Sequence, residues 1–184
     1  MRAGGAFASQ SPIPSPAVLR ILSGGQTGAD RAALDAALAS GVPAHGWCPA
    51  GRWAEDGPIP TRYPLRETLS ADPAERTRLN VRDADAVLIL ARVAGPLAGG
   101  TALTAEVARA SGRPLLVADP WGDDPADVAH WIRQRLDALP GARPLALDVA
   151  GPRESEAPGL YRTARGFLGA VFSAVIGGGS RRGA

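Results

Sequence analysis

Two glycine-rich segments carry the residue types that a phosphate group requires. Ser23-Gly24-Gly25-Gln26-Thr27-Gly28-Ala29-Asp30 lies where an apolar run gives way to a helical pattern, and Ala98-Gly99-Gly100-Thr101-Ala102-Leu103-Thr104-Ala105-Glu106 repeats the arrangement later in the chain. Glycines allow a tight turn and a close backbone approach, and the unpaired amides that open the next helix then face an anion. Thr27 is expected to cap its helix with Asp30 three residues on. The contacts this pattern implies are Gly24, Gly25, Gln26, Thr27, Gly28 and Asp30 from the first loop, with Gly99, Gly100, Thr101 and Thr104 from the second. Main-chain amides would hold the phosphate, while Gln26, Thr27 and Asp30 would orient polar groups. The competing readings are structural: a tight strand-to-helix turn for the first loop, and a flexible loop with a Thr101 cap for the second.

Secondary candidates surround these loops. Arg52, Glu55 and Asp56 sit in Gly46-Trp47-Cys48-Pro49-Ala50-Gly51-Arg52 and the residues after it. The two carboxylates suit a ribose hydroxyl or a hydrated cation, or else a solvated turn. Arg153, in Gly151-Pro152-Arg153-Glu154-Ser155, reaches an anion or pairs with Glu154 or Glu156. Glu106 is a further carboxylate near the second loop. Cys48 reads as a small buried hydrophobe rather than a ligand or nucleophile.

Composition excludes several chemistries. All 20 strongly basic residues are arginine, and lysine is absent. A P-loop needs a lysine on its phosphates and a pyridoxal enzyme needs one for its Schiff base, so neither class fits. Arginine favours planar, bidentate contacts to phosphate or carboxylate. One cysteine and two histidines without metal-ligand spacing give no metal site and no internal disulfide, as in a reducing cytoplasm. Ser23 lies outside a nucleophile elbow, so a Ser/His/Asp triad has no support. The first glycine place of a dinucleotide fingerprint is taken by Ser23, and no acidic residue ends the second strand at His45-Gly46-Trp47, which argues against a standard NAD site. Arginines are interspersed with 18 acidic residues and form no basic run, so nucleic acid is not an expected partner. No apolar run approaches the roughly 20 residues that span a bilayer.

The elements that must position these loops follow an α/β order. Apolar runs at 18–22, 42–47, 86–90, 114–118 and 144–149 read as strands of a mostly parallel sheet. Helical patterns lie at 29–40, 101–111, 124–138 and about 158–175. Their inward stripes would be Ala33, Leu34, Ala37 and Leu38; Leu103, Val107 and Ala110; Val128, Trp131, Ile132 and Leu136; and Leu160, Phe167, Leu168 and Val171. Gly41 and Gly112 stop the first two helices. The stretch 48–70 has no clean period and is expected to be a long functional loop. The whole is a Rossmann-like three-layer sandwich, one domain over 18–176, with a disordered lead at 1–17 and a disordered tail at 177–184. Strands ending at Leu22 and Leu90 would bring both glycine loops to one crevice at the carboxyl edge of the sheet.

Five blocks occur in one order: SGGQTGADRAALDAAL, GWCPAGRWAEDGPIPTRYPL, NVRDADAVLIL, GGTALTAE and VAGPRESEAPGLY. Together, over about residues 19 to 172, they resemble the molybdenum carrier family, relatives of the YpsA proteins within the group that includes lysine-decarboxylase-like and LOG (Lonely Guy) nucleotide hydrolases. The resemblance implies a Rossmann-like fold, a homo-oligomer (dimer or tetramer) and a ligand in the glycine-lined crevice, either molybdopterin as molybdenum cofactor or a nucleotide. Ala50 and Trp53 stand where the family pattern has basic residues. Gly99-Gly100-Thr101 keeps part of the related hydrolases' phosphate motif, but Glu106 falls five places after the threonine, where their glutamates come two and three after it. The expected function is therefore a carrier of a phosphate-bearing cofactor. The alternatives are a nucleoside-monophosphate phosphoribohydrolase-like N-glycosidase using Asp30 or Glu106, and a nucleotide-sensing regulator.

Overall fold

A computed structural model describes residues 18–92 and 95–178. The lead at 1–17 and the tail beyond 178 lie outside the described residues. The strands are β1 (Leu19–Leu22), β2 (Ala44–Cys48), β3 (Trp53–Ala54), β4 (Gly57–Pro58), β5 (Leu65–Glu67), β6 (Ala86–Leu90), β7 (Leu115–Ala118) and β8 (Leu145–Ala150). The helices are α1 (Ala29–Ala39), α2 (Pro73–Asp83), α3 (Gly99–Ala110), α4 (Pro125–Asp137) and α5 (Leu160–Gly178).

Six strands form one parallel sheet in the order β5-β2-β1-β8-β6-β7. The runs expected as strands all lie in it, and β6 and β8, buried at every position, are neighbouring interior strands. Chain direction across the sheet reverses between β1, which leads outward through α1 to β2, and β6, which leads the other way through α3 to β7. Such a reversal opens a crevice at the strands' carboxyl ends. Helices α1, α4 and α5 cover one face through Ala33, Ile132 and Phe172, among others. Helices α2 and α3 cover the other through Val81, Ala105 and Ala108. Alternation along β8 sends Leu145, Leu147 and Val149 into the first core, so Ala146, Asp148 and Ala150 face α2 and α3.

Several expectations need correction. The stretch 48–70 is ordered: a 3-10 turn at Ala50–Arg52, the β3–β4 hairpin and the edge strand β5 fold over a cluster of Leu34, Cys48, Ala54, Ile59, Tyr63 and Leu65. Arg52 holds this segment, since its guanidinium donates to the carbonyls of Ile59, Pro60, Tyr63 and Leu65. Helix α2 has no counterpart in the elements expected above. On α1, Leu38 is 46% exposed, because Ala32, Ala33, Ala36 and Ala37 make the inward face. On α3 that face is Thr101, Thr104, Ala105 and Ala108, rotated from the expected Leu103, Val107 and Ala110. Helix α5 runs to Gly178, two residues into the segment read as tail. Gly41 and Gly112 do end their helices, both at positive φ.

Candidate functional site

A cleft of about 200 Å³ opens at the carboxyl edge of the sheet, and both glycine segments border it. Gln26 and Asp30 line it from the first loop, Arg76 and Thr77 from α2, Gly99, Gly100, Thr101 and Thr104 from the start of α3, and Gly151 and Arg153 from the segment after β8.

The two loops contribute in different ways. In the first, three amides are spent on the protein: Gln26 N donates to Asp30, Thr27 N to the Gln26 side-chain oxygen, and Ala29 N to the Pro152 carbonyl. Its glycines admit neighbours. A Cβ on Gly24 would sit 1.8 Å from the Arg76 guanidinium, and one on Gly28, at φ 71, would sit 2.4 Å from the Pro152 carbonyl oxygen. Gly25 packs in the same way against Leu65 and Ile59. Thr27 does not cap α1. Gly28 occupies that position with no side-chain cap, and the Thr27 hydroxyl instead donates to Glu55 and accepts from Glu154 N. The second loop is open. Ala98 is the N-cap of α3, no side chain caps the helix, and a Cβ on Gly100 would meet nothing within 4 Å. Thr101 is therefore inside the helix rather than its cap. Uncapped first-turn amides carry partial positive charge and present donors to an anion.

Arg76 brings a guanidinium to the cleft from α2. Its guanidinium lies 2.9 Å from Asp30, a carboxylate only 2% exposed. Burial raises the Asp30 carboxyl above its usual range, against the opposing pull of Arg76. A second acid lies deeper. Asp148, on β8 two residues before the cleft-lining Ala150, is 3% exposed, and its carboxyl makes no hydrogen bond among the described residues. Burial, and next the neighbouring Asp30 charge, push it up to about 8, with Arg76 opposing. Asp148 therefore keeps its proton at neutral pH.

The remaining candidates sit elsewhere. Thr27, Gly28, Glu55 and Asp56 line a separate cavity of about 560 Å³ with Arg31, Asp35, Arg62 and Tyr161. There Glu55 accepts from Thr27 and from both the amide and hydroxyl of Ser155, bonds that hold its carboxyl below the usual range. Asp56 forms a two-pronged pair with Arg31 at 3.1 Å. Arg52 is engaged with carbonyls as described. Arg153 lines the cleft while pairing with Glu156 at 3.4 Å, and Glu106 lies on the exposed side of α3, away from the cleft lining. Cys48 is buried in β2, where desolvation raises its thiol.

Sequence reading did not pick out Arg76, Thr77 or Trp53 of the cleft lining, nor the buried Asp148. A signal for α2 was present in Asp72-Pro73-Ala74-Glu75, since the Asp72 carboxylate accepts from Ala74 N and Pro73 occupies the first turn. For Asp148 the signal was one carboxylate within an otherwise apolar strand.

Comparison with known proteins agrees with this architecture. No curated protein sequence matches significantly. A solved structure named "Putative molybdenum carrier protein", from Syntrophus aciditrophicus SB, is 40% identical, superposes with a TM-score of 0.74, and the match covers 85% of this chain and 96% of that one. The model of the circularly permuted YpsA family of SLOG proteins matches residues 21–172. With most of its length matched in this way, the chain belongs to the circularly permuted YpsA SLOG family.

Proposed function

We propose that this protein binds and carries a small phosphate-bearing molecule, a molybdopterin-type cofactor or a nucleotide, in the cleft between the first loop and α3. One observation carries the reading: the uncapped start of α3 and the Arg76 guanidinium open onto the same cleft. Helix-terminal amides and a planar guanidinium are the donor set that phosphate oxygens match. The Asp30 carboxylate orients Arg76, and the protonated Asp148 lies beneath without adding negative charge.

The fit to molybdenum cofactor runs through its phosphate. Among the described residues no group of three or more His, Cys, Asp or Glu side chains is arranged to hold a metal ion. Gly99, Gly100, Thr101 and Arg76 would hold the phosphate of the pterin, and the metal would supply its redox chemistry from within the ligand. No helix among the described residues is long and apolar enough to cross a membrane. A homo-oligomer in the cytoplasm is the setting this reading expects. Native mass spectrometry of gently purified protein, with the absorbance spectrum of what it releases, tests it. A retained phosphate ester supports it, whereas empty protein with no thermal shift from molybdopterin or nucleotides counts against it.

The paired buried acids favour one second reading, an N-glycosidase acting on nucleoside monophosphates. Asp30 would stabilise the developing oxocarbenium charge, Glu106 being away from the cleft. Release of free base that is lost in Asp30→Asn would support it, and a silent monophosphate panel would end it.

A further inference from the structure

The cleft holds about 200 Å³, whereas pockets that bury a drug-sized ligand begin at roughly 300 Å³. A phosphate with its sugar-sized attachment fills such a space, and anything joined to it must emerge at the mouth. Trp53 lines that cleft and is 48% exposed. Among the described residues, the other three tryptophans are engaged. Trp47 donates its indole N–H to Asp83 at 2.8 Å, and guanidinium groups lie over Trp121 (Arg92, 4.2 Å) and Trp131 (Arg135, 5.5 Å). Trp53 has neither a cation over its ring nor an indole hydrogen bond among the described residues.

The backbone presenting Trp53 is held firmly. Arg52, just before it, adopts φ 53 and anchors four carbonyls of the following segment, while Trp53 itself pairs with Pro58 across the β3–β4 hairpin. Non-glycine residues reach that φ only when their surroundings enforce it. A large aromatic fixed in this way offers contact area at little cost in conformational entropy.

We propose that Trp53 is the stacking platform for a planar heteroaromatic ring carried by the phosphate ligand, so that the site prefers ring-bearing phosphates to ring-free ones. The proposal rests on the phosphate reading of the cleft and names the rest of the ligand. Purine and pterin rings share the required chemistry, a flat π-face joined to a phosphate through a short polar linker.

The test is calorimetric titration of the wild type, Trp53→Ala and Trp53→Phe with GMP, neopterin phosphate, guanosine, ribose 5-phosphate and inorganic phosphate. One base stacked on an aromatic side chain corresponds to about 5- to 150-fold in affinity. The wild type should therefore bind GMP or neopterin phosphate by about that factor more tightly than ribose 5-phosphate, and the stronger of the two identifies the ring. Trp53→Ala should remove the advantage without changing ribose 5-phosphate binding, while Trp53→Phe keeps most of it. Equal affinities for ring-bearing and ring-free phosphates, or an equal loss for both in Trp53→Ala, overturns the proposal. Guanosine binding that needs Trp53, with both ring-free phosphates silent, supports stacking but refutes the phosphate reading. Silence from every probe overturns both, as does a Trp53-dependent self-association that no probe affects.

Discussion

Replacing Asp148 by asparagine should flatten the pH dependence of folding stability. Asp148 is 3% exposed on the central strand β8, and burial together with the Asp30 charge pushes its carboxyl up to about 8 from an ordinary 3.8. Between those values the unfolded chain has lost this proton while the folded protein keeps it. The folded state then binds one more proton, so stability falls as pH rises, by at most about 1.4 kcal/mol per pH unit from this one group. Its contribution is fully present below about pH 4 and is lost as pH climbs through 8. Asparagine is close in size and cannot ionise, so the variant lacks this slope and overtakes the wild type toward pH 8, by an amount on the order of several kcal/mol. Against a domain stability of about 5–15 kcal/mol such a difference is readily measured. Urea unfolding followed by circular dichroism at pH 5, 6, 7 and 8, at constant ionic strength, reads it directly. Parallel pH profiles for the two proteins, or a variant less stable than wild type at pH 8, would mean that Asp148 does not hold its proton in the folded protein. The same titration bears on binding: above pH 8 the wild type gains a negative charge near the cleft, so affinity for the proposed phosphate ligand should fall there and hold steady in Asp148→Asn.

Two further outcomes separate structural from ligand-directed roles. Arg76→Leu strands a buried carboxylate and should cost about 3–5 kcal/mol, the range for breaking a buried pair. Adding Asp30→Asn should restore much of that stability but not GMP binding; recovery of binding would remove Arg76 from the site. Gly24→Ala puts a methyl 1.8 Å from the flexible end of Arg76, whereas Gly28→Ala demands φ 71 of an alanine whose Cβ meets the Pro152 carbonyl at 2.4 Å. The first should weaken ligand binding and, because it shifts Arg76 against Asp30, cost part of the roughly 3–5 kcal/mol expected for Arg76→Leu, and the second should destabilise by roughly 1–3 kcal/mol in a thermal melt.

What could be read from the sequence followed the apolar signal. The run Ala86 to Leu90 is buried at every residue and gave its strand without ambiguity. Helix α2 was hidden because its inward face is Thr77, Asn80 and Val81, too polar to make a 3.6-residue stripe, and Arg76 was hidden with it. Asn80 faces inward to serve the backbone of β2, accepting from Trp47 N and donating to Trp47 O. Asp148 was concealed by the apolar residues on either side of it in β8. The capping role expected of Thr27 failed for another reason: its hydroxyl finds Glu55, 28 residues away, and local spacing carries no trace of that partner. Convergence of the two glycine segments was legible, since the carboxyl-edge rule applied to strands ending at Leu22 and Leu90 places both at one crevice. Which of their amides remain free was not, because that depends on Pro152 and on the Gln26 and Asp30 side chains closing over the first loop.

The proposed phosphate seat is the uncapped start of α3 beside Arg76. Amide-resolved NMR of 15N-labelled protein titrated with GMP reads that seat residue by residue. The largest shifts should fall at the amides of Gly99, Gly100 and Thr101, with the Arg76 Nε–H responding alongside them. Shifts gathered instead around Arg31, Arg62 and Tyr161, or no saturable shift at α3, would contradict it.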